Sequence, residues 1–149
     1  MEHDDNQEAQ QQGIDYQRLF EEIETVAVVG YSDKPARAGH FVSQYLAGKG
    51  YKIIAVNPKF GGEVDGLPCY ASLEAIPQGT RIDVVDVFRN PAHVPAVLEE
   101  AAKMSPLPKY FWMQPGAENA EAAARATELG LIPIMDACMM AEHKALDSP

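Results

Sequence analysis

Five short, mainly apolar segments without regular polar alternation recur along the chain, and this pattern restricts the fold more than any other feature. They span residues 26–29, 52–56, 82–88, 109–113 and 131–135. A strand with one exposed face alternates apolar and polar residues, whereas a strand without that alternation is buried on both faces. Helical patterns separate the segments, so the strands are predicted to lie parallel in a sheet that helices cover on both faces.

The helical patterns complete this prediction. They span residues 16–23, 39–47, a segment beginning at Asn90-Pro91, 117–129 and 138–146. We therefore predict an α/β, Rossmann-like doubly wound fold with a mostly parallel five-stranded sheet and helices on both faces. At 149 residues the chain has the size of one domain. That domain is predicted to span residues 14–149, after a disordered, acidic and Gln-rich tail at residues 1–13.

Charge and cysteine content limit the partners. A formal net charge of −10 argues against a nucleic-acid partner, which requires a surface rich in Lys and Arg. No apolar run is long enough to cross a membrane, and the N-terminal segment lacks the hydrophobic core of a secretion signal. Cys69 and Cys138 lie far apart without CxxC spacing, which is compatible with a reducing compartment. We predict a cytoplasmic protein with no membrane or nucleic-acid partner.

The first strand ends at a loop suited to phosphate. Gly30 permits a tight turn there, and Ser32, Lys34 and Arg37 follow before the next helix begins. The N-terminus of that helix would offer N–H groups and a positive dipole end to an anion. The standard dinucleotide fingerprint is not met, because Ser32 and Pro35 stand where its second and third glycines are expected.

The other strand exits carry further polar groups, and ligands of doubly wound sheets bind at the carboxyl ends of the strands. These exits are Asn57 to Phe60, Phe88 to Asn90, Gln114 to Gly116 and Asp136 to Cys138. Lys59 stands where an NAD-binding protein carries an acidic residue, so it favours a phosphorylated ribose. Other roles for these residues stay open. Arg37 could cap the helix or pair with Asp33, and Arg89 could pair with Glu99 or with a carboxylate of the tail. Ser32 could be a turn residue or an N-cap, Lys59 could be solvated, and Phe88 could belong to the core.

Five motifs in order resemble one family. They are Val-Val-Gly-x-Ser-x-x-Pro-x-Arg at 28–37, Val-Asn-Pro at 56–58, Asp-Val-Val-Asp-Val-Phe-Arg at 83–89, Trp-Met-Gln-Pro-Gly at 112–116, and Met-Asp-x-Cys-Met-x-x-Glu-His at 135–143. The chain resembles the small single-domain CoA-binding proteins, which are similar to the CoA-binding domain of the succinyl-CoA synthetase alpha subunit. It departs from the family pattern at Pro115 and at Ala137, where an arginine is common.

This resemblance implies that the chain holds coenzyme A or an acyl-CoA. The pyrophosphate would lie at the loop from Gly30 to Arg37, and the adenosine near Asn57 to Lys59. The pantetheine would pass the exits at Phe88-Arg89 and Gln114 to Gly116. The predicted ligand-binding residues are Gly30, Tyr31, Ser32, Lys34, Arg37, Asn57, Pro58, Lys59, Phe88, Arg89, Gln114 and Gly116.

No catalytic residue is predicted. Cys138 and His143 are five positions apart, which sets their side chains more than a quarter-turn apart on a helix. The histidines have no metal-ligand spacing, so no metal is predicted.

The favoured hypothesis is a non-catalytic binding, sensing or delivery module for CoA. The alternatives are an NADP-dependent oxidoreductase component and a protein-interaction module with a vestigial nucleotide cleft. A homodimer or an unidentified protein partner is left open, as is a mixed disulfide between CoA and Cys138.

Overall fold

The computed structural model describes residues 13–147. In chain order its elements are α1 (Tyr16–Glu22), β1 (Thr25–Val29), α2 (Ala38–Gly48), β2 (Lys52–Val56), β3 (Glu63–Val64), β4 (Leu67–Tyr70), β5 (Val84–Val87), α3 (Val94–Ala102), β6 (Tyr110–Met113), α4 (Ala120–Glu128), β7 (Ile132–Ile134) and α5 (Met139–Asp147), with short 3-10 helices at Leu73–Ala75 and Pro91–His93. The predicted tail, apart from Gly13, and the last two residues of the predicted domain lie outside the described residues.

A single sheet carries the strands in the order β3-β4-β2-β1-β5-β6-β7. All neighbouring pairs are parallel except β3 with β4. The central strand β1 pairs with β2 on one side and with β5 on the other, so the chain extends the sheet from β1 first to one side and then to the other. This arrangement places a topological switch point at the end of β1, which is where ligands of doubly wound sheets bind.

Helices cover both faces of the sheet, because successive strand residues point to opposite sides. Ala27 and Val29 face a core that includes Val97 of α3 and Ala126 of α4. Val26 and Val28 belong to a second core, to which α1, α2 and α5 contribute Leu19, Leu46 and Met139. The Rossmann-like doubly wound prediction is confirmed.

The sheet has seven strands rather than the predicted five. The two additional strands, β3 and β4, form a hairpin after β2, in a segment for which the sequence pattern predicts no strand. Asp65 and Gly66 make its two-residue turn with φ of +52° and +78°, the conformation that an Asp-Gly hairpin turn requires. β3 is only two residues long and Pro68 lies within β4, and both features weakened the strand pattern.

Capping side chains set two helix starts later than predicted. Asn90 accepts from the N–H of Ala92 and opens a 3-10 turn, so α3 begins at Val94. Asn119 accepts from the N–H of Ala122 and fixes the start of α4 at Ala120 instead of residue 117. Within residues 13–147, no helix has the length and apolar character needed to cross a membrane.

Candidate functional site

Two glycines bring the end of β1 against α2. Gly30 has φ of +90°, and a Cβ added to it would lie 2.2 Å from the carbonyl oxygen of Phe88. A Cβ on Gly39 would lie 2.7 Å from the carbonyl oxygen of Gly30. Side chains at either position would push the loop and the helix apart. Gly30 is among the residues predicted from the sequence, whereas Gly39 is not. The indication for Gly39 was its place in the first turn of a helix, where a glycine allows close approach of another backbone segment.

The N-terminus of α2 is open to an anion. Arg37 is its N-cap residue, and no side chain there makes a capping hydrogen bond. The N–H groups of His40 and Phe41 donate to the carbonyl oxygen of Arg37, which leaves the earlier N–H groups of the first turn without an intrahelical acceptor. An anion at this end would also meet the positive end of the helix dipole.

A cleft of about 310 Å³, here called the first cleft, lies between this helix end and the exit of β2. Eight predicted ligand-binding residues line it. They are Gly30, Tyr31, Ser32, Lys34, Arg37, Asn57, Lys59 and Phe88. Residues from three strand exits, separated by up to 58 positions in sequence, therefore meet around one opening.

A second cleft of about 210 Å³ opens between the exits of β2 and β5 and helix α3. The predicted residues Pro58 and Arg89 line it, together with His93 and Glu100. Gly30 and Asn57 line both clefts, so the two openings meet at the switch point. His93, in the 3-10 turn before α3, was not among the predicted residues.

Most cations away from these clefts form ion pairs, whereas the cations that line the clefts do not. Arg18, Lys49, Arg81, Lys103, Lys109 and Arg125 each form an ion pair with a carboxylate. Within residues 13–147, the four cleft cations, Lys34, Arg37, Lys59 and Arg89, form none. Glu99, the alternative partner weighed for Arg89, pairs with Arg125 at 3.3 Å. Lys52, at the start of β2, also forms no ion pair within residues 13–147. In a chain with net charge −10, the cations without carboxylate partners therefore lie mainly at the carboxyl ends of the strands.

Asn57 and Ser32 hold the loops that carry these cations. The Asn57 side-chain amide donates to the carbonyl oxygen of Tyr31 at 2.8 Å, and its Oδ1 accepts from the N–H of Lys59 at 2.9 Å. Ser32 Oγ accepts from the N–H of Lys34 at 3.1 Å, as a turn residue does. The exits of β1 and β2 are therefore fixed to each other before any ligand arrives.

The buried Tyr31 ties the β3-β4 hairpin to the first cleft. Its hydroxyl donates to Asp65 Oδ2 at 2.6 Å and accepts from Gln44 Nε2 at 2.9 Å. His40 Nδ1 lies 2.9 Å from the Ser32 carbonyl oxygen and 3.6 Å from Asp65 Oδ2. Burial, reinforced by the bond to Asp65, raises the pKa of Tyr31 far above its ordinary value, so the hydroxyl stays a donor.

We expect Tyr31→Phe to lower the free energy of unfolding by about 1 kcal/mol, because Asp65 and Gln44 both lose a hydrogen-bond partner. Urea denaturation of the purified variant measures this change. Tyr70→Phe is the matched control, since Tyr70 is half-buried and its hydroxyl has no hydrogen-bond partner among the described residues. Equal, small changes in both variants would show that the Tyr31 network does not hold the hairpin.

Comparison with known proteins agrees with this geometry. The family model described as "CoA binding domain" matches residues 24–144, which include every strand and all of both clefts. The chain belongs to the CoA-binding domain family. The uncharacterized protein YneT of Bacillus subtilis is 38% identical over 125 residues, which cover 84% of this chain and 89% of YneT.

Solved structures and a larger relative extend the comparison. A hypothetical protein from Pyrococcus horikoshii shares 37% identity with a TM-score of 0.82, covering 91% of this chain and 94% of that one. The ADP-forming acetate–CoA ligase I of Archaeoglobus fulgidus is 34% identical over 88 residues. Those residues are 58% of this chain but only 12% of the ligase. The membership in the family supports a CoA-binding module.

Two predicted residues of the CoA-binding domain line neither cleft. Gln114 is 1% exposed, and its Nε2 donates to the buried carboxylate of Asp86. Gly116 adopts φ of +98° in the exposed loop that follows, where its N–H donates to Glu118 Oε1. The prediction that both contact the ligand stays a prediction, and the buried Asp86 partner was not anticipated.

Cys138 and His143 lie away from both clefts of the CoA-binding domain. His143 Nδ1 lies 2.7 Å from the Tyr45 hydroxyl, and its ring packs edge-on against Phe20 and Tyr51. Cys138 is half-buried and packs against the core shared with α1 and α2. Across residues 13–147, no group of three or more His, Cys, Asp or Glu side chains could hold a metal ion.

Proposed function

We propose that this protein binds coenzyme A or an acyl-CoA as a non-catalytic module that senses the cofactor or delivers it to a partner. The observation that supports this most is the set of four cleft cations without carboxylate partners, beside an uncapped helix N-terminus. Coenzyme A carries a pyrophosphate and a 3′-phosphate, so its binding requires more than one cationic contact. Two clefts that meet at Gly30 and Asn57 suit a ligand that is long and branched.

We assign the phosphates by the chemistry of each exit. The pyrophosphate would lie in the first cleft, between the α2 N-terminus and Arg37, with Lys34 nearby. Lys59 lies across the same cleft, with its Nζ 5.7 Å from the Phe60 ring centroid. It forms no ion pair among the described residues, so its ammonium is available for the 3′-phosphate. Arg89 lines the second cleft and Phe88 lines the first, and both would meet the remaining part of the ligand.

Similarity to larger enzymes supports CoA binding by this chain but does not support a catalytic activity. In a structure of an acetyl-coenzyme A synthetase from Ca. Korarchaeum cryptofilum, this chain matches 27% of that protein with a TM-score of 0.65. The chain spans about a quarter of that synthetase, so the activity proposed for it is CoA binding and not the reaction of the whole enzyme. We place the protein in the cytoplasm, where its free cysteines, Cys69 and Cys138, would stay reduced.

Calorimetric titration with CoA, dephospho-CoA, NADP and NAD tests the proposal. We expect CoA to bind, and dephospho-CoA to bind about 10- to 100-fold more weakly, because a charged hydrogen bond to Lys59 is lost. At about one hundred times its dissociation constant, CoA should raise the free energy of unfolding by about 2.7 kcal/mol. Binding of none of the four would overturn the proposal. Preference for NADP would favour the oxidoreductase alternative.

The same titration of two variants that each lose one lysine charge, Lys59→Gln and Lys52→Gln, tests whether Lys59 binds the 3′-phosphate. Lys59→Gln should remove most of the difference between CoA and dephospho-CoA. Lys52→Gln is the matched control, because Lys52 is an exposed lysine at the start of β2, at the other end of that strand. If both variants keep the full difference, the 3′-phosphate contact is wrongly assigned to Lys59.

A further inference from the structure

Asp86 and Gln114 form a buried polar pair beneath the strand exits. Asp86 lies in β5, in register with Val28 of β1 and Trp112 of β6, and Gln114 directly follows β6. Asp86 is fully buried and Gln114 is 1% exposed. Gln114 Nε2 donates to Asp86 Oδ1 at 2.6 Å. Asp86 Oδ2 and Gln114 Oε1 are buried as well, and neither has a hydrogen-bond partner among the described residues.

Asp86 Oδ2 and Gln114 Oε1 are both hydrogen-bond acceptors if Asp86 is ionised. If Asp86 is neutral, Oδ2 can carry a proton and is then a donor. An ionised carboxylate offers only acceptors, and Gln114 Oε1 is also an acceptor. Burying a charge with a single amide donor costs much free energy. In a neutral acid, a proton on Oδ2 makes that atom a hydrogen-bond donor, and Gln114 Oε1 is an acceptor without a partner. The donors and acceptors of the pair are therefore equal in number only when Asp86 carries that proton.

Charged groups near this face of the sheet do not offset the cost of burial. The titratable groups that the strands and helices bring to this face are Tyr16, Tyr31, His40, Tyr45, Tyr51, Cys69, Tyr110, Cys138, Glu142 and His143. None of them contributes to the shift at Asp86. Burial raises the pKa of Asp86 to about 7, and the hydrogen bond from Gln114 opposes that rise.

We propose that Asp86 is a neutral acid below neutral pH, and that in this form it donates from Oδ2 to Gln114 Oε1 and so positions the exit loop from Gln114 to Gly116. The Gln114 main chain is held on both sides, since its N–H donates to the Val87 carbonyl oxygen and its carbonyl oxygen accepts from Ala117 N–H. The side-chain pair adds the remaining restraint. Its effect on CoA rests on the proposed function, whereas the protonation state does not.

The variant Asp86→Asn tests the protonation state by the sign of its effect. An asparagine amide reproduces the donor and the acceptor of the neutral acid and has no charged form. Because the folded-state pKa of Asp86 is raised, its contribution to stability is fully present below about pH 4 and is lost as pH rises through about 7. Relative to the variant, the folded-to-unfolded ratio of the wild type should fall about tenfold per pH unit across that window.

Thermal and urea unfolding at about pH 5 and about pH 8 measure this difference. We expect the variant to be the more stable protein at the higher pH. Glu63→Gln is the control, because it removes one exposed carboxylate from β3. Its stability relative to the wild type should not change between the two pH values. A variant that is less stable than the wild type at about pH 8 would mean that the fold stabilises the ionised form of Asp86, and the proposal would be wrong.

A direct readout covers the case in which Asp86→Asn does not fold. Carbon-13 NMR of the wild-type carboxyl groups should show Asp86 titrating with a midpoint near pH 7. A midpoint near the ordinary value of about 4 would overturn the proposal whether or not CoA binds. CoA affinity should weaken above pH 7 more in the wild type than in Asp86→Asn. Equal pH dependence in both proteins would refute the positioning role alone.

Discussion

Gly30→Ala is expected to destabilise the protein by at least about 3 kcal/mol, the largest stability effect predicted for a single substitution here. Two costs act together at this position. An alanine Cβ would lie 2.2 Å from the carbonyl oxygen of Phe88, and φ is +90°. The obstacle is backbone at the exit of β5, so it has little freedom to move. Urea denaturation gives the free energy of unfolding if the variant folds, and circular dichroism shows whether it folds.

Gly50→Ala separates the two costs. Gly50 has φ of +98°, but a Cβ added there meets no atom within 4 Å. Only the conformational cost of about 1 to 2 kcal/mol is expected. The difference between the two variants therefore measures the steric contact between the exits of β1 and β5. Equal effects would show that this contact relaxes without cost, and the close approach of the two exits would lose its structural importance.

The position of Gly30 could be predicted because it depends on local pattern. An apolar strand that ends on a glycine before a helix places that glycine at the carboxyl end of the strand. The same reasoning found Lys59 and Arg89, each a few residues after a buried strand. Parallel strands then bring their exits to one edge of the sheet, which is why distant residues meet around the first cleft.

The hairpin and the buried pair depend on contacts that local pattern does not determine. Asp65-Gly66 indicated a turn, but β3 is too short to show a strand period. From the sequence alone, Gln114 resembles an exposed residue at a strand exit. Its burial depends on Asp86 of β5, which is 28 positions away in sequence. Whether a cation has a partner is also a long-range property, as the pair between Lys109 and Glu22 shows.

Arg37→Glu is expected to weaken CoA binding by at least about 100-fold. It removes a charged hydrogen bond of about 1.5 to 3 kcal/mol and places a carboxylate near the pyrophosphate, which adds repulsion. We expect the Arg37→Glu variant to fold, so its weaker CoA binding would not come from unfolding. Arg37 is exposed, forms no ion pair among the described residues and makes no capping bond, and a negative charge at a helix N-terminus is favourable. Calorimetric titration with CoA measures the change.

Lys52→Glu provides the control with the same change in net charge. Lys52 begins β2, and the five residues of that strand separate it from the exit by about 16 Å. This distance exceeds the Debye length of about 8 Å at physiological ionic strength, so its charge is screened from the cleft. A loss of affinity in Arg37→Glu alone would mean that a local phosphate contact binds CoA. Equal losses in both variants would instead mean that the ligand responds to the overall negative charge of the chain, and the anion site at the α2 N-terminus would be wrong.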